Sequence, residues 1–189
     1  MESKLITRSK KLICKGLTEE MLRRNQYNDI SIKEISFNCG VSTRTIYRHF
    51  KSVDDILYHS IKYMIADYKA GTEKPVNLDL QYELTSLCTF FEGNKDFFQS
   101  LHRNSKFGTF RRALTEIGAL GFYIFNPEDK ENSYNNVYYS KYFQKFIISM
   151  LSDLMEVWVV NEFKETPKEL AFIAMYFVKS VSEVNKINK

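Results

Sequence analysis

Apolar residues recur along this chain at intervals of three and four, the spacing that puts side chains on one face of an α-helix. Leu5, Leu12, Ile13, Leu17, Met21 and Leu22, with Lys and Arg between them, predict a first helix over Lys4 to Asn25. Ser31 to Phe50 reads as two short helices around a turn at Cys39 and Gly40. In the first of these Ile32, Ile35 and Ser36 can face inward, while Lys33 and Glu34 face out. In the second, Val41, Ile46 and Phe50 form the inner side. Ile56, Leu57, Ile61, Met64 and Ile65 predict a fourth helix to about Lys69, broken by Gly71 to Pro75. Leu80, Leu84, Leu87 and Phe91 restart the pattern from Leu78. A short helix over Lys95 to Arg103 follows, then one over Gly108 to Phe125 carrying Phe110, Leu114, Ile117 and Ile124. Asn126 to Asn136, with Pro127, reads as a loop. Val137 to Phe163 and Pro167 to Lys186 form two last helices with broad apolar faces. The pattern is all-α throughout.

Helix-start signals fit this division. Ser31 with Glu34 three residues on makes a capping box. Ser42 or Thr43 can cap the next helix, and Ser52 opens another with Asp54 and Asp55 near its positive end. Thr166, Pro167 and Glu169 mark a further start. Gly40 sits where the chain turns sharply, a position that often needs positive φ. Gly16 interrupts the first helix at a cost of about 1 kcal/mol relative to Ala. Two short helices joined at such a turn are the layout of a helix-turn-helix, whose second helix enters the DNA major groove. Its exposed residues are Thr43, Arg44, Thr45, Tyr47, Arg48, His49 and Lys51, nearly all able to donate to a phosphate or a base.

Charge sharpens that picture. The chain of 189 residues carries a net +4, yet residues 1 to 51 hold eleven Lys or Arg against five Asp or Glu, a net of +6, and the remainder is −2. A basic segment coinciding with a helix-turn-helix is the footprint of a phosphate-binding surface. Composition is that of an ordinary globular protein, with 44% hydrophobic and 26% charged residues and only 7 Gly and 3 Pro, which favours long helices over a turn-rich β fold. Cys14, Cys39 and Cys88 are widely separated, so neither a disulfide framework nor zinc spacing is indicated, and they read as reduced thiols of a cytoplasmic protein. No stretch approaches the length of a membrane span, and the polar Met1 to Lys11 does not read as a signal peptide. Enzyme signatures are lacking: there is no Gly-rich phosphate loop and no nucleophile elbow, His49, His59 and His102 show no metal-ligand spacing, and no cofactor is implied.

Gly40-Val41-Ser42, Ile46-Tyr47 and Phe50-Lys51-Ser52, at fixed spacing after Ile32, Glu34 and Ile35, resemble the TetR family of bacterial transcriptional regulators. Trp158, Pro167 and Leu170, within a segment from about Ser149 to Phe177, resemble the subgroup that includes regulators of dihydroxyacetone kinase operons. Two departures stand out. Asn25-Gln26 holds the place where a Gly commonly ends the first helix, and Val53 stands where a Lys is common, removing a phosphate anchor. The resemblance implies an N-terminal three-helix DNA-binding domain over 1–51 and a C-terminal helical ligand-binding and dimerisation domain over 52–189. Carried over position by position, Thr43, Arg44 and Arg48 become candidates for base edges, and Ser31, Ser42, Tyr47, His49 and Lys51 for phosphates. Tyr47 can equally be a packing aromatic, and His49 a local cap.

A regulator of this type is expected to release double-stranded DNA when a small molecule binds. Tyr63, Leu84, Cys88, Phe91, Phe110, Leu114, Ile117 and Phe122 are the candidate pocket, whose lining would favour an apolar or aromatic effector; the same stripe reads equally well as plain core. Phe146, Met150, Leu154, Val157, Trp158, Phe172, Met175 and Phe177 expose enough apolar surface to predict a homodimer through a four-helix bundle, with Trp158 as each protomer's own core the rival reading. The expected function is a repressor acting as a dimer on a palindromic operator. The alternative is a co-activator of the same fold that binds a ligand or a partner, with DNA contact secondary.

Overall fold

Nine α-helices and one 3₁₀ turn make up residues 8–24, 26–71, 80–117 and 137–184, the part of the chain that the computed structural model describes. They are α1 (Arg8–Arg23), the 3₁₀ turn (Tyr27–Asp29), α2 (Ile32–Cys39), α3 (Thr43–His49), α4 (Val53–Gly71), α5 (Leu80–Gly93), α6 (Lys95–Arg103), α7 (Phe107–Ile117), α8 (Val137–Val160) and α9 (Pro167–Val184). No strand occurs among the described residues.

Helix α1 is the post around which the helix-turn-helix is built. Its Ile13, Leu17 and Met21 are buried together with Ile35 of α2, Ile46 of α3, Phe50 just beyond α3, and Ile56 and Leu57 of α4. Each such side chain removed from water contributes about 1.5–3 kcal/mol. Gly16 has a different role from the interruption expected of it. A Cβ there would stand 3.0 Å from the Cβ of Cys39 and 3.4 Å from the carbonyl oxygen of Ile35, so the missing side chain is what lets α1 and α2 touch.

Helix α4 leaves this unit and packs on both α1 and α7. Behind it α5 lies along α9, and α8 covers α6 and α7. The centre of that second half is aromatic: Phe91 stacks on Phe98 at 3.9 Å between centroids, and Phe110 meets both edge-on at 5.3 Å. Arg111 of α7 pairs with Asp153 and Glu156 of α8, tying the two helices at the surface.

Helix boundaries differ from expectation where the backbone turns out of the helix early. α1 stops at Arg23, and the 3₁₀ turn that follows was not foreseen. α8 ends at Val160 instead of Phe163 because Glu162 and Phe163 take left-handed φ of 57° and 58°. There the Phe163 N–H reaches back to the Trp158 carbonyl at 2.9 Å and the Glu162 N–H to Val159 at 3.1 Å, the paired bonds of a Schellman stop. The expected extension of α7 to Phe125, the loop over 126–136, Phe122, the side chain of Ile117 and the last turn to Lys186 lie outside the described residues.

Trp158 requires a correction. It is 1% exposed, its indole N–H donates to the Glu165 carbonyl at 2.9 Å, and the Phe163 ring lies 4.7 Å away. The Schellman stop folds the chain back over the indole, so Trp158 belongs to the protomer's own core and leaves the interface set. Met150, Leu154 and Met175 are half-buried against that core, while Phe146, Val157, Phe172 and Phe177 are exposed.

Candidate nucleic-acid interface

The local chemistry that shapes the helix-turn-helix is complete. At the start of α2, Ser31 Oγ accepts the Glu34 N–H at 3.3 Å, and Glu34 Oε2 accepts the Ser31 N–H at 2.9 Å. These bonds to Ser31, with Arg24 beside them, hold the Glu34 carboxyl below its usual range. Gly40 then takes φ 65° and ψ 20°, ending α2 in the left-handed conformation that glycine adopts without a Cβ clash. Ser42 is the cap of α3, accepting the Thr45 N–H at 3.2 Å; Thr43 is the first residue of the helix instead. Beyond α3, Ser52 Oγ accepts the Asp55 N–H at 3.1 Å while Asp55 accepts the Lys51 N–H at 2.8 Å, so α4 begins at a fixed angle.

Ile46 and Phe50 are fully buried and fix the rotation of α3, with Val41 half-buried beside them. Thr43, Arg44, Tyr47, Arg48 and Lys51 therefore face solvent, Tyr47 with 62% of its surface exposed. Among the described residues the side chains of Arg44, Arg48 and Lys51 make no hydrogen bond or ion pair, and α3 contains no acidic residue. His49 is turned partly onto the protein, edge-on to Phe50 at 6.3 Å between centroids. Burial, then the nearby Arg48 and Lys10, push its imidazole below its usual range, so the ring is neutral at pH 7 and offers one N–H rather than a charge.

Behind this face lies a polar pin that sequence reading missed. Glu20 of α1 is 1% exposed and accepts from Arg23 at 2.7 Å, from Arg24 at 3.0 Å and from Asn38 of α2. Arg24 also reaches Glu34, so one guanidinium joins α1 to the capping box of α2. Burial would raise the Glu20 carboxyl, but the bonds from Arg23, Asn38 and Arg24 outweigh it and hold the group below its usual range. A signal existed: Glu20 falls three residues after Leu17 on the apolar stripe of α1, and a carboxylate at a core position must find partners.

The candidate pocket residues separate into two places. Leu84, Cys88, Phe91, Phe110 and Leu114 are buried, and the space left between Phe91, Phe110, Leu114 and α8 is about 10 Å³, room for about one water. Burial drives the Cys88 thiol up to about 12. Tyr63 lies elsewhere, in an open groove of about 550 Å³ between α1, α4 and the end of α5, with Cys14, Ser60, Tyr68 and Phe90. Among the described residues no cluster of His, Cys, Asp and Glu could hold a metal, and no helix is long and apolar enough to cross a membrane.

A family model described as the C-terminal region of transcriptional regulators, TetR_C_8, matches residues 79–180. The chain belongs to the TetR-type transcriptional regulators. Solved structures of this fold agree. One is a dihydroxyacetone kinase operon activator, DhaS, at 14% identity, with a TM-score of 0.63 over 94% of this chain and 97% of that one. Another is a TetR-family regulator from Streptomyces coelicolor at 14% identity, TM-score 0.59, covering 96% and 83%. A third is the FadR regulator from Bacillus subtilis in complex with stearoyl-CoA at 16% identity, TM-score 0.57, covering 89% and 96%. No curated protein matches the sequence. This TetR-type chain thus shares its fold with these regulators over nearly its whole length.

Proposed function

We propose that this TetR-type regulator is a homodimeric repressor that binds a palindromic operator through α3 and leaves it when a small apolar ligand enters the C-terminal half. On this reading residues 1–51 are the DNA-binding domain and 52–189 the effector and dimerisation domain. The observation that carries it is the face of α3, where Arg44 and Arg48 stand exposed and uncommitted on a helix that contains no acidic residue and is capped by Ser42. Arg44 and Arg48 can each fork onto a guanine edge, a contact worth about 1–3 kcal/mol of discrimination. Ser31, Ser42, Tyr47 and Lys51 offer donors to phosphates, as does the one N–H of His49.

Dimerisation rests on an unpartnered apolar face: Phe146, Val157 and Val160 of α8 with Phe172, Tyr176 and Phe177 of α9. A two-fold axis through that face would present two copies of α3 to a palindrome. The ligand's class follows from the closed aromatic core around Phe91 and Phe110. Only an apolar or aromatic molecule replaces such contacts without stranding a polar group, and stearoyl-CoA, bound by the Bacillus subtilis relative, has a long apolar chain. Because the described core holds no space for it, entry forces α5, α7 and α8 apart, and that movement is the differential interaction that release of DNA requires.

The deciding experiment is selection of bound fragments from the source genome by the purified protein at near-physiological salt, since low salt inflates nonspecific binding. Recovery of one palindromic sequence is the expected result. A folded, dimeric protein that recovers none would instead be the partner-binding co-activator.

A further inference from the structure

The turn between α6 and α7 grips the back of the helix-turn-helix at three places. Asn104 Oδ1 accepts the backbone N–H of Tyr27, in the connection from α1 to α2, at 2.8 Å. The Lys106 ammonium sits 2.8 Å from Asp54 at the start of α4 and 4.3 Å over the Tyr27 ring, while the Tyr27 hydroxyl donates to the same Asp54 oxygen at 3.1 Å. One turn earlier, Ser100 Oγ donates to the carbonyl of Met21 near the end of α1 at 3.0 Å.

The turn itself is costly to hold. α6 ends in a Schellman stop, with the Lys106 N–H on the Leu101 carbonyl at 2.7 Å and the Ser105 N–H on His102 at 2.9 Å. The residue at its left-handed position is Ser105, φ 54°, where glycine is usual. Such a conformation costs on the order of 1 kcal/mol and persists only when its surroundings over-determine it. Here the stop is what delivers Lys106 to Asp54, and Asn104 is held for Tyr27 by its own amide, which donates to the Ser100 carbonyl at 2.9 Å.

We propose that Asn104 and Lys106 are positioning residues that set the angle of the helix-turn-helix on the rest of the protomer, and so determine which half-site spacing the regulator accepts. The inference rests on the dimeric, palindrome-binding reading. Moving a half-site by one base pair shifts it by about 3.4 Å and turns it by roughly 35° around the DNA axis. The bonds to Tyr27 and Asp54 stiffen the unit against that turn beyond the Ser100 bond to Met21 and the packing of α4 on α1 and α7, and a unit released from them yields to it more readily.

The test measures binding of wild type, the Asn104→Ala/Lys106→Ala double variant and Lys106→Arg to duplexes carrying the selected half-sites. The spacer is kept, or lengthened or shortened by one and by two base pairs. Wild type is expected to lose about tenfold in affinity per base pair of error, about 1.4 kcal/mol. The double variant is expected to bind all spacings within about threefold of one another, a loss of spacing selectivity of about 0.7 kcal/mol or more per base pair. Lys106→Arg, which keeps the charge, should retain the wild-type profile. A double variant with an unchanged profile, or one weakened equally at every spacing as ordinary destabilisation would do, overturns the inference. Indifference of wild type itself to paired half-sites overturns the dimeric reading and this inference with it.

Discussion

Arg44 and Lys51 are both exposed cations in one short stretch, but they stand in different places. Arg44 is the second residue of α3, on the face left open by Ile46, whereas Lys51 follows the helix and has its own N–H bound by Asp55. Arg44→Ala should therefore relax preference at one base pair in each half-site, by about 1–3 kcal/mol. Lys51→Ala should weaken all sequences alike and reduce the salt slope by about 1. Equal effects of both on every sequence would remove Arg44 from the reading set; titrations against operator and random duplex at several salt concentrations decide it. At this scale the local shape of the helix-turn-helix was largely legible. Ser31 with Glu34, Gly40 and Ser42 act on neighbours three residues away, so their spacing alone announces them. His49 was less so: its exposure depends on the packing of Phe50, which spacing does not reveal.

Elements meet through contacts that local patterns do not encode. The stripes of α1 to α9 gave their faces and approximate lengths, yet not the partner of any face. Gly16 read as a weak point in one helix and is the contact surface for another, 23 residues away in sequence. Glu20 is the clearest case, since it joins α1 to α2 through Asn38 and, by way of Arg24, to Glu34. Its loss has a defined pH signature. The folded carboxyl sits below its ordinary value of 4.5, so the stabilisation is fully present above pH 4.5 and disappears as pH falls through the folded value. Glu20→Gln should cost about 1–3 kcal/mol at neutral pH. The gap between wild type and variant should close progressively below about pH 4.5, and urea unfolding followed by circular dichroism across that range measures it. A gap independent of pH would show that shape rather than charge makes the pin.

For the whole molecule, the apolar face of α8 and α9 is the feature that a lone protomer leaves unexplained. Phe172 is 58% exposed and Phe177 47%. On the proposed dimeric reading, a Phe172→Glu/Phe177→Glu variant should keep its helical content, because neither residue is in the core, yet sediment more slowly than wild type at the same concentration. An unchanged sedimentation coefficient would place the dimer contact elsewhere. This face was visible in the sequence as an excess of apolar positions, although Trp158 was drawn into it because periodicity cannot tell an inner face from an outer one on a helix that is apolar nearly all round. The indole's actual place has an optical consequence. It is the chain's one tryptophan, sealed behind Phe163 with its N–H committed to Glu165. Ultraviolet-excited indole emission from this regulator therefore originates at a single dry, rigid site, blue-shifted and poorly quenched by acrylamide. It reports the closure of the turn between α8 and α9.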